Sequence, residues 1–255
     1  MLFDSHAHYD DERFNEDRDI VLKSVYESGV GYVLNAASDV ASIDSTLELS
    51  EKYDFVYAAI GIHPHNVEKA ETGVLDRIAE LSKRPKVVAI GEIGLDYYYD
   101  FSPRELQKKW LIMQIGLAKD LKLPIIVHNR DSHQDILDIV KSENAKKTGG
   151  VFHMFSGSVE MAEILLDNNF YISVGGVVTF NNAKKIVDVV KAVPPDRLLV
   201  ETDCPYMTPV PFRGRRNDST YMINTVRKIA EIKGMEVERI IEITTKNAKD
   251  LFNIK

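Results

Sequence analysis

The feature that most constrains the fold is a repeated alternation of short β-rich runs and longer helical patterns. The runs are Leu2–His6, Gly31–Asn35, Phe55–Ile60, Val87–Ile90, Pro124–His128, Gly150–Phe155, Tyr171–Val174 and Arg197–Glu201. Helical patterns follow at Asp19–Ser28, Ser42–Lys52, Val74–Lys83, Pro103–Lys122, Ser132–Glu143, Val159–Asn168, Ala183–Val193 and Tyr221–Lys233. The fourth helix carries a start signal, with Ser102 as cap, Pro103 in the first turn and Glu105 three residues after the cap. A further short helix is expected over Asn247–Phe252. Eight β/α units in 255 residues fit a TIM (β/α)8 barrel occupying residues 1–255 as one domain. A doubly wound open sheet is the alternative, but no glycine-rich phosphate loop follows the first strand.

A barrel places its chemistry where strands end and the following loops begin. The first run delivers His6 and His8, which share one face because residues i and i+2 of a strand point the same way. The third ends in His63 and His65, the fourth in Glu92 and Asp96, and the fifth in His128, Asn129 and Arg130. The sixth gives His153 and Ser156, and the eighth gives Glu201, Thr202 and Asp203. Six of the seven histidines therefore fall at strand ends, and only His133 lies off this face, in a helix.

Each residue alone has an ordinary structural explanation. His6 and His8 could be a surface pair, His128 a hydrogen-bonded core histidine, Glu92 a loop acid and Asp203 a helix cap. Together, five apolar strands converge four histidines and two acids on one mouth. Buried charges there are costly unless they are paired or bind metal. Two divalent ions sharing a carboxylate would satisfy the set. Imidazole-rich sites suit zinc or manganese better than magnesium.

Charge and cysteine content narrow the setting. The net charge is −7, so no bulk basic field draws in a polyanion, and such a substrate must be gripped locally. The single cysteine, Cys204, excludes an intramolecular disulfide and reads as packing. No apolar run is long enough to span a membrane, and no basic-then-apolar leader is evident. A cytoplasmic protein with no obligate protein partner is the expectation.

The stretches "FDSHAHYD", "GIHPH", "AIGEIGLDYY", "RELQKKWLIMQIGLAKDLKLPIIVHNRD", "FHMFSGS" and "LLVETDCPY" resemble, in order, the signatures of TatD-type metal-dependent deoxyribonucleases, within the amidohydrolase-like metal barrels. The resemblance runs from residue 3 to about residue 217. It implies that His6, His8, Glu92 and Asp203 hold one metal, and Glu92, His128 and His153 the other, with Glu92 bridging. It also implies magnesium-supported nuclease activity, so Mg²⁺, Mn²⁺ and Zn²⁺ are the candidate ions. One departure stands out: where the family has an Arg-Asn-Glu-Pro-like stretch, this chain reads Arg216-Asn217-Asp218-Ser219. That changes the stretch expected at the substrate edge and leaves the metal residues untouched.

The expected activity is a 3′–5′ deoxyribonuclease that cleaves phosphodiesters with a metal-activated water, Asp203 serving as general base. The expected substrate is single-stranded DNA or frayed 3′ ends. Arg130 would grip phosphate bidentately, or else pair with Asp96 or Glu201. His63 and His65 would donate to a phosphate or leaving oxygen, or else cap a turn. Arg216 and Asn217 complete the expected substrate contacts. Tyr97, Tyr98 and Tyr99 could stack on bases, or divide between core and rim. The competing activity is a deacylase or amidohydrolase using the same chemistry, for example on aminoacyl-tRNA. A metal-binding scaffold without catalysis is disfavoured by Asp203.

Overall fold

The computed structural model describes residues 1–71 and 73–255. Its strands are β1 (Leu2–Ala7), β2 (Val30–Ala36), β3 (Val56–Ile60), β4 (Val87–Asp96), β5 (Ile125–Arg130), β6 (Gly150–Phe152), β7 (Phe170–Val174) and β8 (Leu198–Val200). They pair in parallel in sequence order from β1 to β8. The intervening helices are α1 (Arg18–Glu27), α2 (Val40–Lys52), α3 (Val74–Leu81), α4 (Arg104–Leu121), α5 (His133–Ser142), α6 (Val159–Asp167), α7 (Lys184–Ala192) and α8 (Met222–Lys233), followed by α9 (Val237–Phe252). The eight β/α units form the expected TIM barrel.

The seam between β8 and β1 is closed by loop backbone and a buried acid. Asp203 N–H donates to the His6 carbonyl at 3.0 Å, and His8 N–H donates to the Cys204 carbonyl at 2.9 Å. Asp4, fully buried on β1, accepts from Thr202 N–H at 3.0 Å and from the Thr202 and Ser219 hydroxyls at 2.6 Å each. Burial pushes its carboxyl up to about 6 despite these donors. Ser219 belongs to the departure from the family stretch, and Asp218 caps the turn that follows it by accepting from Thr220 N–H. Ser219 thus helps to close the barrel.

Two apolar clusters follow from strand alternation. The larger lies between the sheet and its helices. The smaller joins Phe3, Leu34, Ala59, Ile126, Val151 and Leu199 of the strands to Ala248, Phe252 and Ile254 at the end of α9. Here the sequence expectation was short. The last helix has 16 residues rather than one turn and a half, because Ile240, Thr244, Asn247, Ala248 and Phe252 form its buried face.

Other boundaries differ as well: β6 ends at Phe152 and β8 at Val200, short of the expected Phe155 and Glu201. β4 continues past Ile90 to Asp96, and glycine makes that possible. A Cβ on Gly94, at φ +152°, would lie 1.9 Å from the His128 carbonyl oxygen, and one on Gly91 would lie 2.7 Å from Ile126 Cβ. Only glycine lets β4 come this close to β5. Ser102 does not cap α4, since Pro103 occupies the cap position. Its hydroxyl instead donates to the His65 carbonyl and accepts from Glu68 N–H, tying the loops after β3 and β4 together.

Candidate metal centre

Helix α4 sets the backbone on which the centre is built. Buried Gln114 accepts from Ile62 N–H at 2.8 Å and donates to its carbonyl at 3.0 Å. Buried Gln107 treats Asp96 the same way, at 2.8 and 3.2 Å. Each amide pairs with one strand-end peptide that would otherwise be buried without partners. The loops carrying His63, His65 and Asp96 are thereby fixed.

Four ligand-type atoms converge at the ends of β1, β4 and β8. His6 Nε2 and His8 Nε2 lie 3.0 Å apart. Glu92 Oε2 lies 3.4 Å from the first and 3.6 Å from the second. Asp203 Oδ1 lies 3.8 and 3.4 Å from them. A tetrahedral ion bound at zinc-like distances has ligand–ligand edges of about 3.4 Å. His6, His8 and Asp203 form a group that could hold such an ion, and Glu92 Oε2 lies within 3.6 Å of both imidazoles. Asp203 adopts φ +55°, a left-handed conformation that aspartate tolerates, and its carboxylate meets the histidines of β1.

The other oxygen of Glu92 faces a second group. Oε1 lies 2.8 Å from His128 Nδ1 and 2.7 Å from His153 Nε2, and those two nitrogens are 3.1 Å apart. His63 Nε2 lies 3.4 Å from the same oxygen. Facing nitrogens, as in His6–His8 and His128–His153, leave room for one proton between each pair. Shared cations suit that donor set better than protons do.

Hydrogen bonds at the outer ring nitrogens separate ligands from donors. His8 Nδ1 lies 2.9 Å from the Ala36 carbonyl, an acceptor only, so in the neutral ring that binds a cation Nδ1 carries hydrogen and Nε2 presents its lone pair. His128 Nε2 donates to Asp96 Oδ2 at 3.0 Å, which leaves Nδ1 for the centre. His63 is the reverse. Its Nδ1 accepts from His65 N–H at 3.1 Å, so neutral His63 must carry its hydrogen on Nε2 and point it inward. It therefore acts as a hydrogen-bond donor at the centre, although its position would also suit a ligand.

The charges are strongly coupled. Burial raises Glu92 and Asp203, but the surrounding histidines outweigh it and hold both carboxylates below their ordinary range. Burial lowers His8 and His128, yet the neighbouring acids carry them up to about 10 and about 9. Burial dominates at His6 and His63, lowering each to about 4 and keeping them neutral.

Two acids absent from the expected site belong to its surroundings. Asp96 accepts from His128 and, at 2.8 Å, from His65 Nε2, while its other oxygen takes Tyr98 and Tyr99 N–H. Glu201 accepts from Met154 N–H and lies 3.8 Å from His153 Nδ1. Burial pushes it up to about 7. A signal was present in the sequence: Asp96 stands four positions after Glu92, and Glu201 two before Asp203, at the same strand ends as the expected ligands.

The expected substrate contacts divide. His63 lies at the centre, and His65 lies beside it against Asp96. Arg130 makes no ion pair with Asp96 or Glu201; its guanidinium stacks 4.2 Å over Tyr98 and 4.9 Å over Tyr99. Tyr98 and Tyr99 are exposed, whereas Tyr97 is half-buried and donates to Asp135. Arg216 is already engaged, with both amino groups on Asp17 at 2.9 and 2.6 Å. Asn217 is fully buried and donates to the Thr202 and Tyr206 carbonyls. Both residues hold the loop after β8, and the structure does not bring them to the mouth as free groups.

Fold and site together define a metal-dependent hydrolase of the TIM-barrel class. Residues 3–253 match the family described as TatD related DNase, and the chain belongs to the TatD family. It is 48% identical to the uncharacterized metal-dependent hydrolase YabD of Bacillus subtilis over the full length of both. The crystal structure of YjjV, a TatD homologue from Escherichia coli, superposes with a TM-score of 0.93 at 34% identity, covering 100% of this chain and 98% of that one. The 3′-5′ ssDNA/RNA exonuclease TatD of Escherichia coli is 29% identical over 99% of each chain.

Proposed function

We propose that this hydrolase is a deoxyribonuclease with a binuclear centre, removing nucleotides from single-stranded or frayed 3′ ends. The observation that carries the reading is Glu92, whose two oxygens face separate ligand groups: His6, His8 and Asp203 on one side, His128 and His153 on the other. Two divalent cations bound there would supply Lewis-acid polarisation and lower the pKa of water. The exonuclease relative supports the choice of phosphodiester.

The chain's own groups account for the remaining steps. Asp203, held ionised by His8, orients a water and accepts its proton as that oxygen attacks phosphorus. His63 Nε2–H donates to the phosphoryl or departing oxygen as the phosphorus–oxygen bond to the neighbouring sugar breaks. Arg130 meets a phosphate at the rim. Asp10, Glu12 and Asp39 line the opposite side of the 910 Å³ mouth, where they repel a long polyanion and favour a chain end. The cytoplasm is the proposed location.

The test is metal-loaded protein given end-labelled single-stranded DNA and aminoacyl-tRNA in parallel. Stepwise shortening from the 3′ end is expected. Release of amino acid with intact DNA would assign the centre to ester or amide hydrolysis instead. Rapid nicking of closed circles would replace the end-directed reading with an endonuclease.

A further inference from the structure

A second cavity, of 370 Å³, opens beside the centre and shares His128, His153 and Asp203 with it. Its walls are Met154, Phe155, Val177, Ile186 and Met207, from the loops after β6, β7 and β8 and from α7. Two of these residues have unusual backbones: Met154 at φ +40° and Met207 at φ +54°. Left-handed methionine carries a steric cost and persists where the surroundings fix it. Glu201 fixes Met154 by accepting its N–H. Gly175 makes room for the side chain, since a Cβ there would lie 2.5 Å from Met154 Cε. The methionines thus place polarizable thioethers on a wall beside the metal centre.

Charge gives the cavity a direction. Arg130 and Lys185 also line it, no ion pair joins either to a carboxylate among the described residues, and the one acid in the lining is Asp203 of the centre itself. The acids Asp10, Glu12 and Asp39 lie across the mouth and do not line it. A group bearing phosphate is therefore favoured on the Arg130–Lys185 side and disfavoured on the other. Apolar, polarizable walls beside two unpaired cations suit a flat heteroaromatic ring attached to a phosphate. The volume falls at the lower end of the range for small-ligand sites, matching one such group rather than a run of strand.

We propose that this cavity is the subsite for the nucleobase of the terminal nucleotide, with Lys185 contacting the adjoining phosphate. The proposal rests on the nuclease reading and adds where the departing nucleotide sits.

The test compares a single strand ending in an ordinary 3′ nucleotide with one ending in an abasic 3′ residue, each with magnesium- or manganese-loaded protein. Wild type should process the base-bearing end with a kcat/KM about 10-fold or more higher, as expected for one packed base. Val177→Trp fills the cavity and should bring that ratio close to 1. The second variant, Lys185→Glu, lies on the exposed face of α7 and should fold normally. It should raise KM about 5-fold on both strands with kcat unchanged. Equal kcat/KM for the two ends in wild type, or a ratio retained in Val177→Trp, overturns the base subsite while leaving the nuclease reading standing. An unchanged KM in Lys185→Glu overturns the phosphate contact. No cleavage of either strand overturns the nuclease reading and this subsite with it.

Discussion

The Asp96 carboxylate accepts the Nε2 hydrogen of His128 at 3.0 Å, from a strand end lying directly beside that of His128. A carboxylate behind a metal-binding imidazole fixes its ring, selects its tautomer and makes it a stronger ligand. Asp96→Asn keeps the shape and removes the charge. Metal affinity should fall by about 10–100-fold with the fold intact. Competition with a chromogenic chelator measures it, and unchanged affinity would remove Asp96 from the metal-supporting role.

Glu92 is the only residue whose two oxygens reach both ligand groups among the described residues. The proposed binuclear centre predicts two ions per chain in wild type and fewer in Glu92→Gln, as a neutral amide bridges poorly. Elemental analysis after dialysis reads the change. One ion per chain in wild type under saturating metal would contradict the binuclear centre.

Asp203→Asn should reduce kcat by about 10²-fold or more, because an amide cannot accept the water's proton. The measurement is single-turnover cleavage under saturating metal, with occupancy checked in the same sample. Near-wild-type turnover at full occupancy would reassign the base.

His63 distinguishes donor from ligand. If its Nε2 hydrogen serves the reacting oxygen, His63→Ala should lower kcat by about 10²-fold while metal content is kept. A parallel loss of bound metal would make His63 a ligand after all.

Glu201 gives a pH dependence with a definite sign. Burial lifts its folded-state pKa from 4.5 to about 7. A raised carboxyl contributes most to stability below pH 4.5, where both states are protonated. That contribution is lost as pH rises through about 7, by an amount on the order of 1–3 kcal/mol. Metal-free Glu201→Gln should lack this decline. Urea unfolding at pH 5 and pH 8 checks it: the gap between variant and wild type should favour the variant more at pH 8, and a constant gap would reject the account.

Much of this protein was legible in the sequence because its signals are local. The β/α alternation fixed eight strand–helix units, and the placement of histidines at strand ends marked one face of the barrel as chemical. His6 and His8 were readable as a pair because strand periodicity alone puts them side by side. The full length of α9 was not readable, since its buried face meets strands as distant as β1 at the other end of the chain. Nor was the employment of Arg216, whose partner Asp17 lies 199 residues upstream.

Residue type and spacing by themselves determined which groups could bind metal, because donor chemistry and the two-residue period of a strand are properties of the local chain. Tertiary structure alone decided what each imidazole does. His8, His63 and His128 are chemically identical, but one outer nitrogen meets a carbonyl, one a peptide N–H and one a carboxylate. Those partners arrive from distant strands or a folded loop, and they set the tautomer. The tautomer in turn determines whether a lone pair or a hydrogen points at the centre.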